Sequence, residues 1–489
     1  MLTNVNDSEA LPQLIGEFRP VDEWQTHVND LFYGLRGSQL RDFSQTFAAA
    51  DYRLGHALAA DYYERVLKRD KARGKGQATR GQEAAPSDRL TNNESRLTIL
   101  ELGCGNGNLA ACFLTHLKHI DKNGEVYRRV RYVLVDRHQA VLDGAVCHPD
   151  LAEHKDRIEA ICSDVASLTG LADHSVDRIF CNELWNDLPT KLMLRKDGEI
   201  EEEFLRPNLS ETRYVDMTDW SGFVQAFDGK DVAKLKTFPP FLEDIIWEKE
   251  YRKADWKAVP YRKTILECLK KIDEHVLVPV NLGACVTVRE AQRLLAHDAL
   301  GFSSFDAGTG DLKILNDFDK PCYGQFGGQY SFMVNFVLLD AIARHVGFTT
   351  SDIEAQKEFV GRSLNTNVMS LMDLLATHPT SCELKGWEQD QLVLRTIRVL
   401  NDTYHSPYRR TLDFPLSKGT PPEKREGLEG IILSLKPDGV PDTIAFLTEE
   451  ELMAAATDLE AIGYDRDLMQ TALLAPPQGV DYYHHFLSR

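Results

Sequence analysis

LTILELGCGNGNLA, residues 97–110, is the stretch whose reading decides the fold. A β-rich apolar run ends at Glu101 and passes into Gly103, Gly105 and Gly107, and a helical pattern follows from near Asn108. Glycines at this spacing permit a tight turn whose backbone approaches a ligand closely, where a Cβ would clash or forbid the needed φ. Dinucleotide sites use the same strand, turn and helix, but they want a third glycine where Asn108 stands. The GxGxG spacing, with Glu101 two residues ahead of the first glycine, instead suits a cofactor that bears an amino acid and a sulfonium and no pyrophosphate.

Outward from this turn, LTILEL, VRYVLVD, RIEAICSD and DRIFCNEL alternate with helical segments. Such alternation predicts parallel strands joined by right-handed crossovers, the α/β doubly wound, Rossmann-like architecture. Asp136, ending YVLVD, is placed to accept hydrogen bonds from both hydroxyls of a ribose. Asp164, in ICSDV, is placed to receive an adenine amino group. Each has a plainer alternative as the cap of a following helix. Glycines, first acid and second acid in this order make S-adenosylmethionine the expected cofactor, with Glu101, Gly103, Gly105, Gly107, Asp136 and Asp164 as its binding residues.

The segment FCNELWNDLPTKLMLRKDGEIEE follows the fourth strand. Its Asn182, Glu183, Leu184, Trp185, Asp187, Leu188 and Pro189 resemble the MidA-like class I methyltransferases, a family that includes the mitochondrial complex I assembly arginine methyltransferase. DFSQTFAAADYRLGHALA at 42–59, FSSFDAG, YSFMVNFVLLDAIARHVGF at 330–348 and QKEFV at 356–360 are more loosely similar to other parts of that family. The resemblance covers roughly residues 40–365, with gaps. Cys104 stands where a Pro or Ala is usual, and GTGDLKILNDFDKPCYGQFGG replaces an arginine- and histidine-bearing stretch. Family resemblance therefore implies the fold and the cofactor more firmly than the acceptor.

Methyl transfer requires alignment of a nucleophile, exclusion of water and management of one proton. A guanidinium acceptor needs carboxylates to hold its fork. Glu183 is the expected catalytic acid, with Asn182 positioning cofactor or substrate and Asp187 beside them. Both acids have structural alternatives, Glu183 capping the turn and Asp187 starting the hairpin. Trp185 is either a wall of the acceptor pocket or a core residue, and Asp306, ending the fifth strand, is a candidate second acid. The expected substrate is a protein or peptide arginine. The alternatives are a small-molecule or other side-chain acceptor, and a cofactor-binding assembly factor without turnover.

The rest of the chain divides by pattern. Residues 1–68 form an N-terminal helical region, with Trp24, Val28, Leu31 and Leu35 on one helical face and Leu54, Leu58, Tyr62 and Val66 on another. Residues 69–95, nearly free of apolar side chains, read as a flexible loop. Residues 96–189 form the cofactor half. A hairpin at Asp197-Gly198 opens an inserted, mainly helical cap over 190–298. Residues 299–365 complete the sheet. Helical segments dominate from about Asp352, 366–489 form a mostly helical extension, and 415–427 mark a linker within it.

The formal charge of −19 over 489 residues argues against a surface that wraps nucleic acid or anionic lipid. Nine cysteines without a CxxC pair point to reduced thiols in the cytoplasm. No leader or membrane span is expected, nor a metal, because the histidines lack ligand spacing. A homodimer is left open.

Overall fold

The computed structural model describes residues 13–36, 51–78 and 96–489, except 258, 410, 413, 418 and 442–444. Seven strands carry the main sheet: β1 (Leu97–Leu102), β2 (Val130–Asp136), β3 (Ile158–Cys162), β4 (Arg178–Asn182), β5 (Phe302–Thr309), β6 (Thr350–Ala355) and β7 (Asp481–Ser488). Their order is β3-β2-β1-β4-β5-β7-β6, and Val334–Asn335 adds a short eighth strand on β5. Strands β1 to β5 run parallel, and β7 runs antiparallel to both β5 and β6. All six residues of β1 and all five of β4 are buried. Burial on both faces explains why these strands read as unbroken apolar runs. The doubly wound α/β expectation holds.

Helices α1 (Val21–Arg36) and α2 (Tyr52–Ala78) precede the sheet. Leu54, Leu58, Tyr62 and Val66 of α2 pack with Phe113, in α3 (Asn108–Ile120), against one face of β1. Trp24, Val28 and Leu31 of α1 turn instead into the core of the cap. The expected loop over 69–95 is corrected in its first part, because α2 continues to Ala78. Arg69 there is bonded to Asp177 at 2.8 Å, and Asp70 to Arg129 at 2.7 Å, which extends the helix across the sheet edge. Residues 79–95 and 42–50 lie outside the described residues.

The cap is more β-rich than its sequence pattern. Lys191–Lys196 and Glu199–Leu209 form the predicted hairpin, with Asp197 and Gly198 both at positive φ (49° and 80°) as its two-residue turn demands. Ile245–Lys253, read as helical, pairs with residues 201–209 of the second hairpin strand. With Val278–Val280, Gln13–Leu14 and Arg19–Pro20 this makes a six-stranded antiparallel sheet. The physical reason is register: Trp247 and Ile245 face the α1 core, while Ile246 between them and the charged residues 248–250 and 252–253 lie towards the outside.

The C-terminal segment also departs from its reading. Helices Leu371–Ala376, Trp387–Leu400, Pro422–Ser434, Glu449–Ala461 and Arg466–Leu474 are present, the third of them beginning within the expected 415–427 linker. Yet β6 replaces helix at 350–355, and the sheet expected to be complete by 365 is completed only by β7. This last strand lies between β5 and β6, so it is structural sheet and no part of a helical appendage.

Two histidines in β7 make the insertion physically acceptable. His484 Nε2 lies 2.8 Å from Ser303 Oγ on β5, and its Nδ1 lies 2.9 Å from Glu354 Oε1 on β6. Arg178 of β4 donates to the same Ser303 hydroxyl at 2.8 Å. The row crosses four strands and pairs Arg178, Ser303, His484 and Glu354 in turn, while Arg178 Nε and His485 Nδ1 stay without a partner. Among the described residues no helix is long and apolar enough to cross a membrane.

Candidate active site

The carboxyl ends of β1, β2, β4 and β5 converge at one edge of the sheet. The amides of Gly103 and Cys104 donate to Val135 O at 2.9 and 3.1 Å, which fastens the glycine turn to the end of β2. Gly107 then caps α3 in the left-handed region at φ 80°. Gly105, at φ 51°, is the open position: a Cβ built there would meet no atom within 4 Å. The turn therefore presents backbone to an empty space, as a closely approaching ligand requires.

Asp136 stands beside this turn. It is half-buried and accepts from the His138 amide at 2.9 Å, with the Gly105 and Arg137 amides also facing it. Burial pushes its carboxyl up to about 6 in spite of these amides. Glu101 lies deeper. It is 2% exposed, accepts from the Tyr132 hydroxyl at 2.7 Å and is raised by burial to about 8. Its contact in the structure is with the sheet, beneath the turn. Asp164 is exposed and accepts from the Ala166 amide at 2.8 Å within a local turn, and no helix follows it of the kind its plainer alternative required. Both arrangements leave carboxylate oxygens at the edge where adenosine groups would lie.

Beyond β4 the chain turns sharply at Glu183, whose φ of 48° is unusual for a residue with a side chain. The Glu183 amide donates to Phe305 O at 2.8 Å, tying this turn to β5. Burial, and then the charge of Asp306, hold the Glu183 carboxyl well above the usual range. Asp306 is fully buried, accepts from the Ala307 amide at 2.8 Å and the Asn186 amide at 3.2 Å, and is pushed up to about 7 by burial. The two acids expected singly are thus brought together. Gly103 packs on Leu184, so the acid pair adjoins the glycine turn.

Asn182 is 7% exposed and its Nδ2 has no hydrogen-bond partner. A buried donor left open in this way costs about 1–3 kcal/mol unless a ligand accepts from it. Trp185 is fully buried, edge-on to Phe302 at 5.7 Å, which makes it a core residue and no pocket wall.

Asp187 has another set of contacts. It accepts from the Tyr33 hydroxyl at 2.7 Å, from Gln329 at 3.0 Å and from Asn29. Gln25 completes the stripe, donating to Asn186 O at 3.2 Å and accepting from the Thr190 amide at 2.8 Å. Gln25, Asn29 and Tyr33, spaced four apart on α1, therefore clasp the loop after β4. Reading the apolar face of α1 missed them. Their signal was a polar stripe with helical spacing beside an apolar one. Tyr482, brought to this edge by β7, was also missed.

These groups fit a cofactor with hydroxyls and a positive centre: acids at the β1 and β2 ends, open backbone at Gly105, and an unsatisfied donor at Asn182. A separate cavity of about 810 Å³, among Leu67, Arg96, Gly124 and Arg131, opens at the opposite edge of the sheet.

Residues 82–281 match the family described as "Putative S-adenosyl-L-methionine-dependent methyltransferase". No curated protein matches the sequence. A protein from Burkholderia thailandensis bound to S-adenosyl-homocysteine is similar at 12% identity and TM-score 0.43, over 97% of this chain and 88% of that one. A methyltransferase from Aquifex aeolicus is similar at 11% identity and TM-score 0.24, over 55% and 82%. The family match, together with the glycine turn and strand order, makes this chain an S-adenosyl-L-methionine-dependent methyltransferase, with S-adenosyl-L-methionine as its cofactor.

Proposed function

We propose that the acceptor is an arginine side chain of a protein. The observation that carries this reading is the pair Glu183 and Asp306 at the carboxyl edge, where the Glu183 amide is tied to Phe305 O at 2.8 Å and burial raises both carboxyls, Asp306 to about 7. A guanidinium is charged and planar, and it is held best by carboxylates that can take its N–H groups in a fork. Its arrival would restore the charged form of both acids.

Bound S-adenosyl-L-methionine supplies a methyl group on a sulfonium, open to in-line displacement by nitrogen. Glu183 accepts hydrogen bonds from the acceptor nitrogen, aligns its lone pair and takes the proton that nitrogen loses. Asp306 is fixed by the Ala307 and Asn186 amides and sets the charge around Glu183. Asn182 supplies a donor at the same edge, Asp136 accepts from ribose hydroxyls, and Glu101 supports the glycine turn from below. Asp187 acts through α1, holding the cap over the edge and excluding water. All nine cysteines are free thiols, which supports placing this reaction in the cytoplasm.

The test is incubation with methyl-labelled cofactor and a lysate of the host, followed by acid hydrolysis of the labelled species. Label in methylated arginine is the expected result. Label confined to small molecules or to other side chains would overturn the arginine reading.

A further inference from the structure

Tyr482 is the first aromatic of β7, and the antiparallel direction of that strand delivers it to the edge where β4 and β5 end. Pairing fixes its place: it lies opposite Ala307, one residue beyond Asp306, while Phe305 pairs with Asn182 on β4. Side chains of laterally paired residues share a face, and faces alternate along a strand. Asn182, Phe305, Ala307 and Tyr482 thus share one face of the sheet. Ala307 between them leaves room that a larger residue would fill.

Three further observations point to a ligand there. Tyr482 is 37% exposed although it belongs to an inner strand. The Nδ2 of Asn182 is an unpartnered buried donor, and the Oε1 of Gln356 is an unpartnered buried acceptor. Gln356 is 4% exposed and follows directly on Ala355, which pairs with Tyr483 next to Tyr482. A donor and an acceptor without partners therefore flank an exposed phenol. The phenol is held neutral, above its ordinary pKa, first by the charge of Glu183, then by burial, then by Asp306.

We propose that Tyr482 is an acceptor-binding residue, its ring forming a wall of the acceptor pocket and its hydroxyl oxygen accepting from an N–H of a cationic nitrogen side chain. Asn182 and Gln356 line the same pocket. This inference rests on the nitrogen-acceptor reading above and assigns the last strand a part in substrate selection. A phenol oxygen offers acceptance without a second full charge, so it can orient a nitrogen that Glu183 deprotonates.

The test compares wild type, Tyr482→Phe, Tyr482→Ala and Tyr483→Phe in methyl transfer to the species labelled by wild type in a host lysate. Tyr483 is the control, because its hydroxyl donates to Gln478 O. Tyr482→Ala is expected to raise the acceptor concentration for half-maximal rate by about tenfold or more, and Tyr482→Phe by about threefold, as for loss of one polar contact. Calorimetric affinity for S-adenosyl-L-methionine and the melting temperature should match wild type in both, and Tyr483→Phe should behave as wild type throughout. Unchanged half-saturation in Tyr482→Ala would overturn the assignment. So would parallel losses of cofactor affinity and melting temperature, the mark of a merely structural role. The labelled species in wild type decides the arginine reading separately: label on another nitrogen removes arginine and leaves the Tyr482 comparison standing.

Discussion

The Tyr33 hydroxyl donates to Asp187 Oδ2 at 2.7 Å, so the helix that opens the cap is fastened to the acid that follows β4. The ring of Tyr33 also lies 5.1 Å from that of His138, just past Asp136. Helix α1 therefore spans the two strand ends that flank the glycine turn. Tyr33→Phe removes a hydrogen bond to a carboxylate, worth about 1.5–3 kcal/mol. Dissociation of S-adenosyl-homocysteine, followed by stopped-flow fluorescence, should accelerate roughly tenfold or more for that loss. An unchanged off-rate would remove α1 as the clasp.

Glu183→Gln keeps the shape of the turn and removes the proton acceptor. The rate of transfer should fall by about a hundredfold or more, the usual contribution of a positioned base. Cofactor affinity in calorimetry should stay close to wild type. Equal losses of both would assign Glu183 to cofactor binding.

Asp306 titrates near 7 in the folded protein, against an ordinary aspartate value of about 4. A carboxyl raised by folding binds more protons in the native state than in the unfolded one, so stability falls as pH rises through this window and levels off above it. Asp306→Asn should flatten the decline between about pH 4 and 7, by an amount on the order of 2–4 kcal/mol in urea denaturation. Wild-type activity at low acceptor concentration should rise over the same interval, as Asp306 loses its proton. A decline of equal steepness in Asp306→Asn would count against this assignment.

Gly105→Ala separates binding from folding. The added Cβ meets nothing in the protein, and the left-handed backbone costs about 1 kcal/mol. The same Cβ enters the space offered to the cofactor, so affinity should drop by far more than the small loss of melting temperature suggests. Affinity equal to wild type would place the cofactor away from this turn.

Removal of residues 481–489 tests the place of β7. An appendage could be lost with little effect, but this strand pairs on both sides. Deletion should abolish cooperative thermal unfolding of the sheet in calorimetry. A variant that unfolds as wild type would make β7 dispensable.

How far the sequence reaches is clear from particular residues. The strands flanking the glycine turn were legible because both their faces are buried, and so were the hairpin at Asp197-Gly198 and the acids at strand ends. Ile245–Lys253 was hidden because its alternating charges resemble the surface of a helix. β7 was hidden because DYYHHFLS places two histidines at buried positions, and apolar patterning cannot tell that partners over a hundred residues away will bond to them.

By itself, then, the sequence determined the parallel core, the glycine turn and the class of cofactor, because those follow from local backbone demands and short-range periodicity. Only the tertiary structure decided that Asp187 serves α1, that Glu183 and Asp306 act on each other, and that Tyr482 reaches the same edge. These depend on pairings between distant segments, which no spacing along the chain encodes.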